Sequence, residues 1–248
     1  MKILVITSNQ PRHDYFASMV KKLFKADVKV LTISKSEKHF TKRSGRFFLQ
    51  HHSDYKQIER KVFQSKLDIA YTHVDRKKIN DIQFVKNTLS ECFDLVLVFG
   101  SPILNKIWFN EIPSIPKVNF HLGLSPFYVG SGTLFWPFVN DEPEMAGVTV
   151  HELTEELDMG NPIQRYRFAR ASGNYYELSN IIVRHSIDSG LLYLSNMYSS
   201  GENYTTFSYE QGIAPKKYFN DELTESAIKI VRSKFPQHQE IDYDITSC

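Results

Sequence analysis

Asn119 and His121 stand two residues apart in the run Lys117 to His121, and Asp158 follows in a separate segment, TVHELTEELDMG. Residues two apart in a strand project to the same side, so the amide and the imidazole address one place at the strand's end. Attack on a formyl or acyl carbon creates an oxyanion. An amide N–H and a protonated imidazole can stabilise it, each well-placed donor contributing about 2.7–4 kcal/mol. An amine nucleophile arrives as ammonium and must lose a proton, to Asp158 directly or through water. The three residues therefore suit acyl transfer without a covalent enzyme intermediate. Taken singly, each is more often a cap, a turn residue or a satisfied core group, so it is their combination that points to chemistry.

Such a set needs a scaffold that brings separate loops to one edge. Lys2 to Thr7 is an apolar run rich in β-branched residues, as in a strand buried on both faces of a parallel sheet. Asp14 is placed to cap a helix with Tyr15, Phe16, Met19, Val20, Leu23 and Phe24 on its apolar stripe. Val28 to Ile33 reads as the second strand, Ser34 to Ser53 as a polar, basic loop, and Asp54 to Gln64 as a short helix. A strand over Leu67 to Thr72, a helix over Lys77 to Phe93 and a strand over Asp94 to Phe99 continue the alternation.

Lys117 to His121 is the fifth strand, and the loop after it carries Pro126, Gly130 and Gly132, ahead of a helical segment near Phe135 and Trp136. Val148 to Leu153 and Pro162 to Phe168 are further strands. Strand–helix alternation predicts an α/β fold with a mostly parallel, Rossmann-like sheet and ligands beyond the strands' carboxyl ends. The pattern then shifts to a long helix over Leu178 to Met197, extended chain over Phe207 to Ile213 and a last helix over Asp221 to Val231. A boundary near residue 172 separates a catalytic domain, 1–172, from a small helical and extended region, 173–248.

Composition narrows the function classes. With 42% hydrophobic residues the 248-residue chain can bury one sizeable core, and a formal charge of +2 supplies no bulk attraction to nucleic acid or a membrane surface. Cys92 and Cys248 form neither a disulfide framework nor a metal-ligand pattern, so no metal is expected. The apolar start is too short for a signal peptide and no segment approaches the ~20 apolar residues of a membrane span, so a cytoplasmic protein is expected.

The strings LVFGSPIL, VNFHLGLSPFYVG and GVTVHELTEELDMG together resemble the catalytic domain of the 10-formyltetrahydrofolate-dependent formyltransferases. That family includes the glycinamide ribonucleotide, methionyl-tRNA and sugar N-formyltransferases. The resemblance covers roughly residues 1 to 170 and implies that Asn119, His121 and Asp158 form the catalytic trio. It implies further that 10-formyltetrahydrofolate is the formyl donor, its pteridine lying between the loop Gly100 to Leu104 and the loop Leu153 to Asp158. Gly100, Ser101, Ile103, Leu104, Thr154, Glu155 and Glu156 inherit that role.

Two departures bear on the acceptor. Many relatives have His-Pro-Ser after the Asn where this chain has His121-Leu122-Gly123, and the first turn, Thr7 to His13, lacks the glycine-rich anion loop of the glycinamide ribonucleotide enzymes. A basic carboxyl-terminal domain of the kind that holds tRNA is also missing from the residues after 172. The resemblance then favours the sugar N-formyltransferases, whose acceptor is the amine of a nucleotide-linked amino sugar. Asn9, Arg12 and His13 in the first turn would meet its diphosphate, and Tyr128 or Trp136 would stack on a base or sugar. A solvated turn and core aromatics are the competing readings of these five.

Rival functions are hydrolysis of the same donor, formylation of a carrier-bound aminoacyl group, and a non-catalytic domain that binds folate or nucleotide sugar. The apolar helix after residue 172 serves equally as a homodimer surface or as an intramolecular docking helix.

Overall fold

Lys2–Thr7, with every residue between its ends apolar, forms β1 at the centre of the parallel part of the sheet and is buried on both faces. The computed structural model describes residues 1–33, 46–64, 69–112, 114–210, 212–219 and 223–247. β1 pairs in parallel with β2 (Asp27–Ile33) and β4 (Leu95–Phe99), and β3 (Tyr71–Val74) and β5 (Lys117–His121) extend the parallel set on either side. β7 (Gly147–Glu152), β8 (Pro162–Ser172) and β10 (Asp242–Ser247) add antiparallel beyond β5. The result is one eight-stranded sheet in the order β10-β8-β7-β5-β4-β1-β2-β3. A second, two-strand ladder joins β6 (Val129–Gly130) to β9 (Lys217–Tyr218).

Helices cover the two faces differently. On one face α1 (Pro11–Phe24), α2 (Arg46–Val62) and α6 (Tyr175–Ser200) enclose Ile3, Val5, Leu97, Phe120 and Val150 in one apolar cluster. On the other, α3 (Ile82–Leu89) and α4 (Ile107–Asn110) cover Leu4, Ile6, Leu31, Val96 and Val98. Burial at about 1.5–3 kcal/mol per large apolar side chain makes these clusters the main driving force. α6 comes so close that a Cβ on Gly190 would lie 2.9 Å from the Phe120 ring. Phe120 is thereby locked on the α6 face, and the pleat turns its neighbours Asn119 and His121 to the opposite one.

The chain after residue 172 returns to the first part, α6 through this shared cluster and β10 through its ladder with β8. α5 (Trp136–Val139) and α7 (Glu225–Lys234) complete seven helices among the described residues. None of these is long and apolar enough to cross a membrane.

The mixed, mostly parallel α/β architecture is the expected one, while several element bounds are corrected. Gln10 is the N-cap of α1 and Asp14 lies inside its first turn, where a negative charge suits the helix dipole. α2 begins at Arg46 instead of Asp54, because Phe48, Tyr55, Ile58 and Val62 form a stripe against the core that basic and histidine neighbours obscure in the sequence. The rest of the expected basic loop, 34–45, lies outside the described residues.

α3 is shorter than expected: Asp81 caps it by accepting from the Phe84 N–H at 2.9 Å, and Cys92, at φ +55°, cannot continue a helix. β3 starts at Tyr71 rather than at 67, and residues 65–68 are not among those described. No ladder forms over Phe207 to Glu210, and pairing falls instead on Lys217 and Tyr218. The last helix starts at Glu225, with Thr224 as its cap. β10 was not expected, since DYDITS is a short, largely exposed edge strand with Tyr243 and Ile245 as its only apolar residues.

Candidate active site

Asn119 and His121 project from the end of β5 on the face opposite Phe120, 9% and 6% exposed. Asp158 reaches them from the β7–β8 connection, which leaves the sheet beside Lys117 and folds back over that face. Its backbone is left-handed, φ +54°, a conformation that Asp tolerates better than most residues and that recurs at functional sites. The carboxylate lies 3.3 Å from His121 Nδ1 through Oδ2 and accepts from Asn119 Nδ2 at 3.5 Å through Oδ1. The Gly130 N–H donates to Oδ2 at 3.3 Å. The expected trio therefore converges, with a backbone donor as a fourth member.

Hydrogen bonding fixes the protons of His121. Its Nε2 lies 3.0 Å from the Tyr128 carbonyl oxygen, which can only accept, so Nε2 carries a hydrogen. The attraction between Nδ1 and the Asp158 carboxylate then requires a proton between them. Gly123 makes the first bond possible: a Cβ there would lie 2.7 Å from Thr133 Cβ and closer still to both His121 Nε2 and the Tyr128 oxygen.

His151, inside the expected strand Val148 to Leu153, is a further member of the site. It faces Asn119 across the β5–β7 register, is 1% exposed, and its Nε2 lies 3.1 Å from Asn119 Nδ2. Burial first, then the neighbouring His121 charge, pushes its pKa down to about 4, so it is neutral at pH 7. A histidine directly after the run GVTV was the available signal, but the pairing register that gives it meaning is not readable from one sequence.

The loop after β4 opens with exposed Gly100 and is fastened by Asn80, whose side chain donates to the Ile103 carbonyl and accepts from the Asn105 N–H. Ser101 bonds locally to the Pro102 carbonyl, Leu104 is buried, and Ile103 is 68% exposed. Thr154, Glu155 and Glu156 are exposed in the β7–β8 connection, next to Leu157, an apolar side chain that is also exposed. Leu104 and Leu153 share one apolar cluster, which brings the bases of the two loops together.

Asn9 is exposed in the turn after β1. Arg12 is engaged by Glu59 at 2.6 Å and Gln10 at 2.5 Å, and His13 is buried, its Nδ1 accepting from the Gln10 N–H. Tyr128 is fully buried, with its hydroxyl on Glu142, and Trp136 donates to the Ser131 carbonyl. Tyr218 stacks between these two rings, with centroids at 5.5 and 5.0 Å. These four side chains are thus engaged within the fold, while the Tyr128 carbonyl itself meets His121.

Solved structures resemble the whole chain. A sugar N-formyltransferase from Shewanella sp FDAARGOS_354 superposes with TM-score 0.60 at 15% identity, over 94% of this chain and 87% of that one. The formyltransferase PseJ from Anoxybacillus kamchatkensis, solved with UDP-4,6-dideoxy-4-formamido-L-AltNAc and tetrahydrofolate, gives TM-score 0.57 at 16% identity, over 96% and 100%. The fold is that of the formyltransferases. No family model matches the sequence. Among curated proteins it is similar to a methionyl-tRNA formyltransferase from Azobacteroides pseudotrichonymphae genomovar. CFP2, 34% identical over 35% of this chain and 26% of that protein. The formyltransferases it matches in sequence are longer, and the chain spans less than half the length of each.

Proposed function

We propose that this chain is an N-formyltransferase that takes its formyl group from 10-formyltetrahydrofolate and delivers it to the amine of a nucleotide-linked amino sugar. The convergence of Asn119, His121 and Asp158 carries this reading, because it joins a proton acceptor to polar donors within 3.5 Å on a formyltransferase fold. The two loops fit a reduced folate: exposed Ile103 and Leu157 offer apolar surface to a flat ring, and backbone groups beside them are available to its polar edge. When bound, the donor supplies an electrophilic formyl carbon on a nitrogen leaving group.

The protein's own groups do the rest. Asp158 accepts the proton that the ammonium form of the acceptor must lose, and the His121 imidazolium sets positive charge beside the oxygen that gains negative charge. Each turnover forms one amide C–N bond and breaks the formyl bond to the donor; of the two protons that the ammonium loses, one goes to the donor's leaving nitrogen and one is released. Burial of the trio excludes the water that would otherwise compete for the formyl group.

Near-complete coverage of sugar N-formyltransferases supports the acceptor class. A second reading, formylation of methionyl-tRNA, has the names of the curated sequence relatives in its favour. Incubation with the formyl donor and either a panel of nucleotide-linked amino sugars or methionyl-tRNA separates the two. One sugar is expected to gain the mass of a formyl group. Formylation of methionyl-tRNA alone would replace the sugar reading, and formate release without any acceptor would replace both.

A further inference from the structure

We infer that His151 is a positioning residue that fixes the flip of the Asn119 amide, so that Asn119 turns its carbonyl oxygen, and not its N–H groups, toward the acceptor amine. This rests on the function proposed above, but the geometry behind it does not. His151 Nδ1 lies 2.7 Å from the Glu152 carbonyl oxygen, an acceptor only, so the ring hydrogen sits on Nδ1. In the neutral ring Nε2 is then a lone pair, and it faces Asn119 at 3.1 Å. Only an N–H of the amide is compatible with that position. The other hydrogen of the same nitrogen points at Asp158 Oδ1.

Two acceptors on one side thus decide an orientation that the shape of an amide leaves open. A ring turned over by half a rotation would set carbon atoms against both the Glu152 carbonyl oxygen and the Asn119 amide and lose both hydrogen bonds. The His121 ring, 6.4 Å away edge-on, and Asp158 are the ionisable groups nearest it.

The consequence revises the role that residue types alone suggested for Asn119. With both N–H groups held by the protein, its remaining capacity is Oδ1, which can accept from an amine but cannot stabilise an oxyanion. Asn119 and Asp158 together would align the nucleophile's N–H bonds, and stabilisation of the oxyanion falls to His121.

The tautomer is measurable without any activity. Long-range ¹H–¹⁵N spectra of ¹⁵N-histidine-labelled protein, assigned with His151→Gln, are expected to show His151 neutral with its hydrogen on Nδ1 at pH 7. A hydrogen on Nε2 would overturn the inference. In kinetics, His151→Leu is expected to lower kcat/KM for the acceptor by roughly 10²-fold, the scale of a misplaced reacting group, with binding of 5-formyltetrahydrofolate unchanged. His151→Gln, which can present an oxygen near the Nε2 position, should recover at least about tenfold of that loss. Equal activity of the two variants, or a wild-type rate in His151→Leu, would sink it. If His151→Leu does not fold, the wild-type tautomer decides alone. Failure of the wild-type protein to formylate any acceptor would refute the proposed function and leave the tautomer result standing.

Discussion

Replacing Gly123 by alanine adds one methyl group at the most crowded point behind the site. That carbon would lie 2.7 Å from Thr133 Cβ, where two carbons prefer about 3.5–4.0 Å, so something must give by roughly 1 Å. It would also wedge the hydrogen bond between His121 Nε2 and the Tyr128 carbonyl, which are themselves 3.0 Å apart. Overpacking costs about 1–3 kcal/mol, and a buried donor left without its acceptor about 1–3 kcal/mol more. The expected loss is about 2–6 kcal/mol, a fall in Tm of roughly 4–24 °C for a chain of this size. A 1 Å displacement of His121 should lower kcat/KM by about 10²-fold. Gly201→Ala serves as the control, since nothing lies within 4 Å of its Cβ and only a positive φ of 73° is strained. That change is expected to cost about 1 kcal/mol and leave activity alone. Thermal unfolding and steady-state formyl transfer on both variants test the reasoning; a Gly123→Ala protein with wild-type Tm and kcat/KM would refute it.

Three further outcomes are expected. Asp158→Asn should lower kcat by roughly 10²–10⁴-fold with little change in Tm, because an amide oxygen can still accept from the Gly130 N–H; near wild-type turnover at saturating substrate would remove Asp158 from the mechanism. Arg12→Ala leaves Glu59, 1% exposed, as an unpaired buried charge and should cost about 3–5 kcal/mol in urea unfolding; unchanged stability with a raised acceptor KM would instead make Arg12 a substrate ligand.

The third outcome concerns pH. Burial, with Arg232 adding to it, pushes His51 down to about 4 from its ordinary 6.5. The unfolded chain therefore binds that proton first as the pH falls, and stability present above pH 6.5 is lost between about 6.5 and 4. The loss is about 3 kcal/mol at about 1.4 kcal/mol per pH unit. Urea midpoints at pH 7 and 4.5 should converge in His51→Gln, and an unaltered pH slope would count against the assignment.

What could be read from the sequence was whatever local periodicity encodes. β1, β4 and β5 were legible because an apolar run bounded by turns has few alternatives, and the pairing of Asn119 with His121 followed from the two-residue repeat alone. β10 was hidden because its two apolar residues, Tyr243 and Ile245, are too few to mark a strand, and α2 because its stripe runs through histidines and basic residues. His151 has meaning only through the β5–β7 register, which is set by tertiary pairing. Arg12 and His13 have side chains suited to an anion, but Glu59 and the α1 cap hold them in the fold.

The short ladder between β6 and β9 makes the order of synthesis matter. Gly130 lends its N–H to Asp158, and Tyr218 braces the same loop through backbone pairing and by stacking between Tyr128 and Trp136. A chain emerging from the ribosome carries Asn119, His121 and Asp158 well before Tyr218 exists. Until then the loop has no partner strand, and the carboxylate lacks the support that aligns its backbone donor. The brace on the Gly130 loop therefore arrives late, with the segment after α6. A fragment cut between α6 and β9 would keep every side chain of the trio and lose the strand and ring that brace the loop of Gly130.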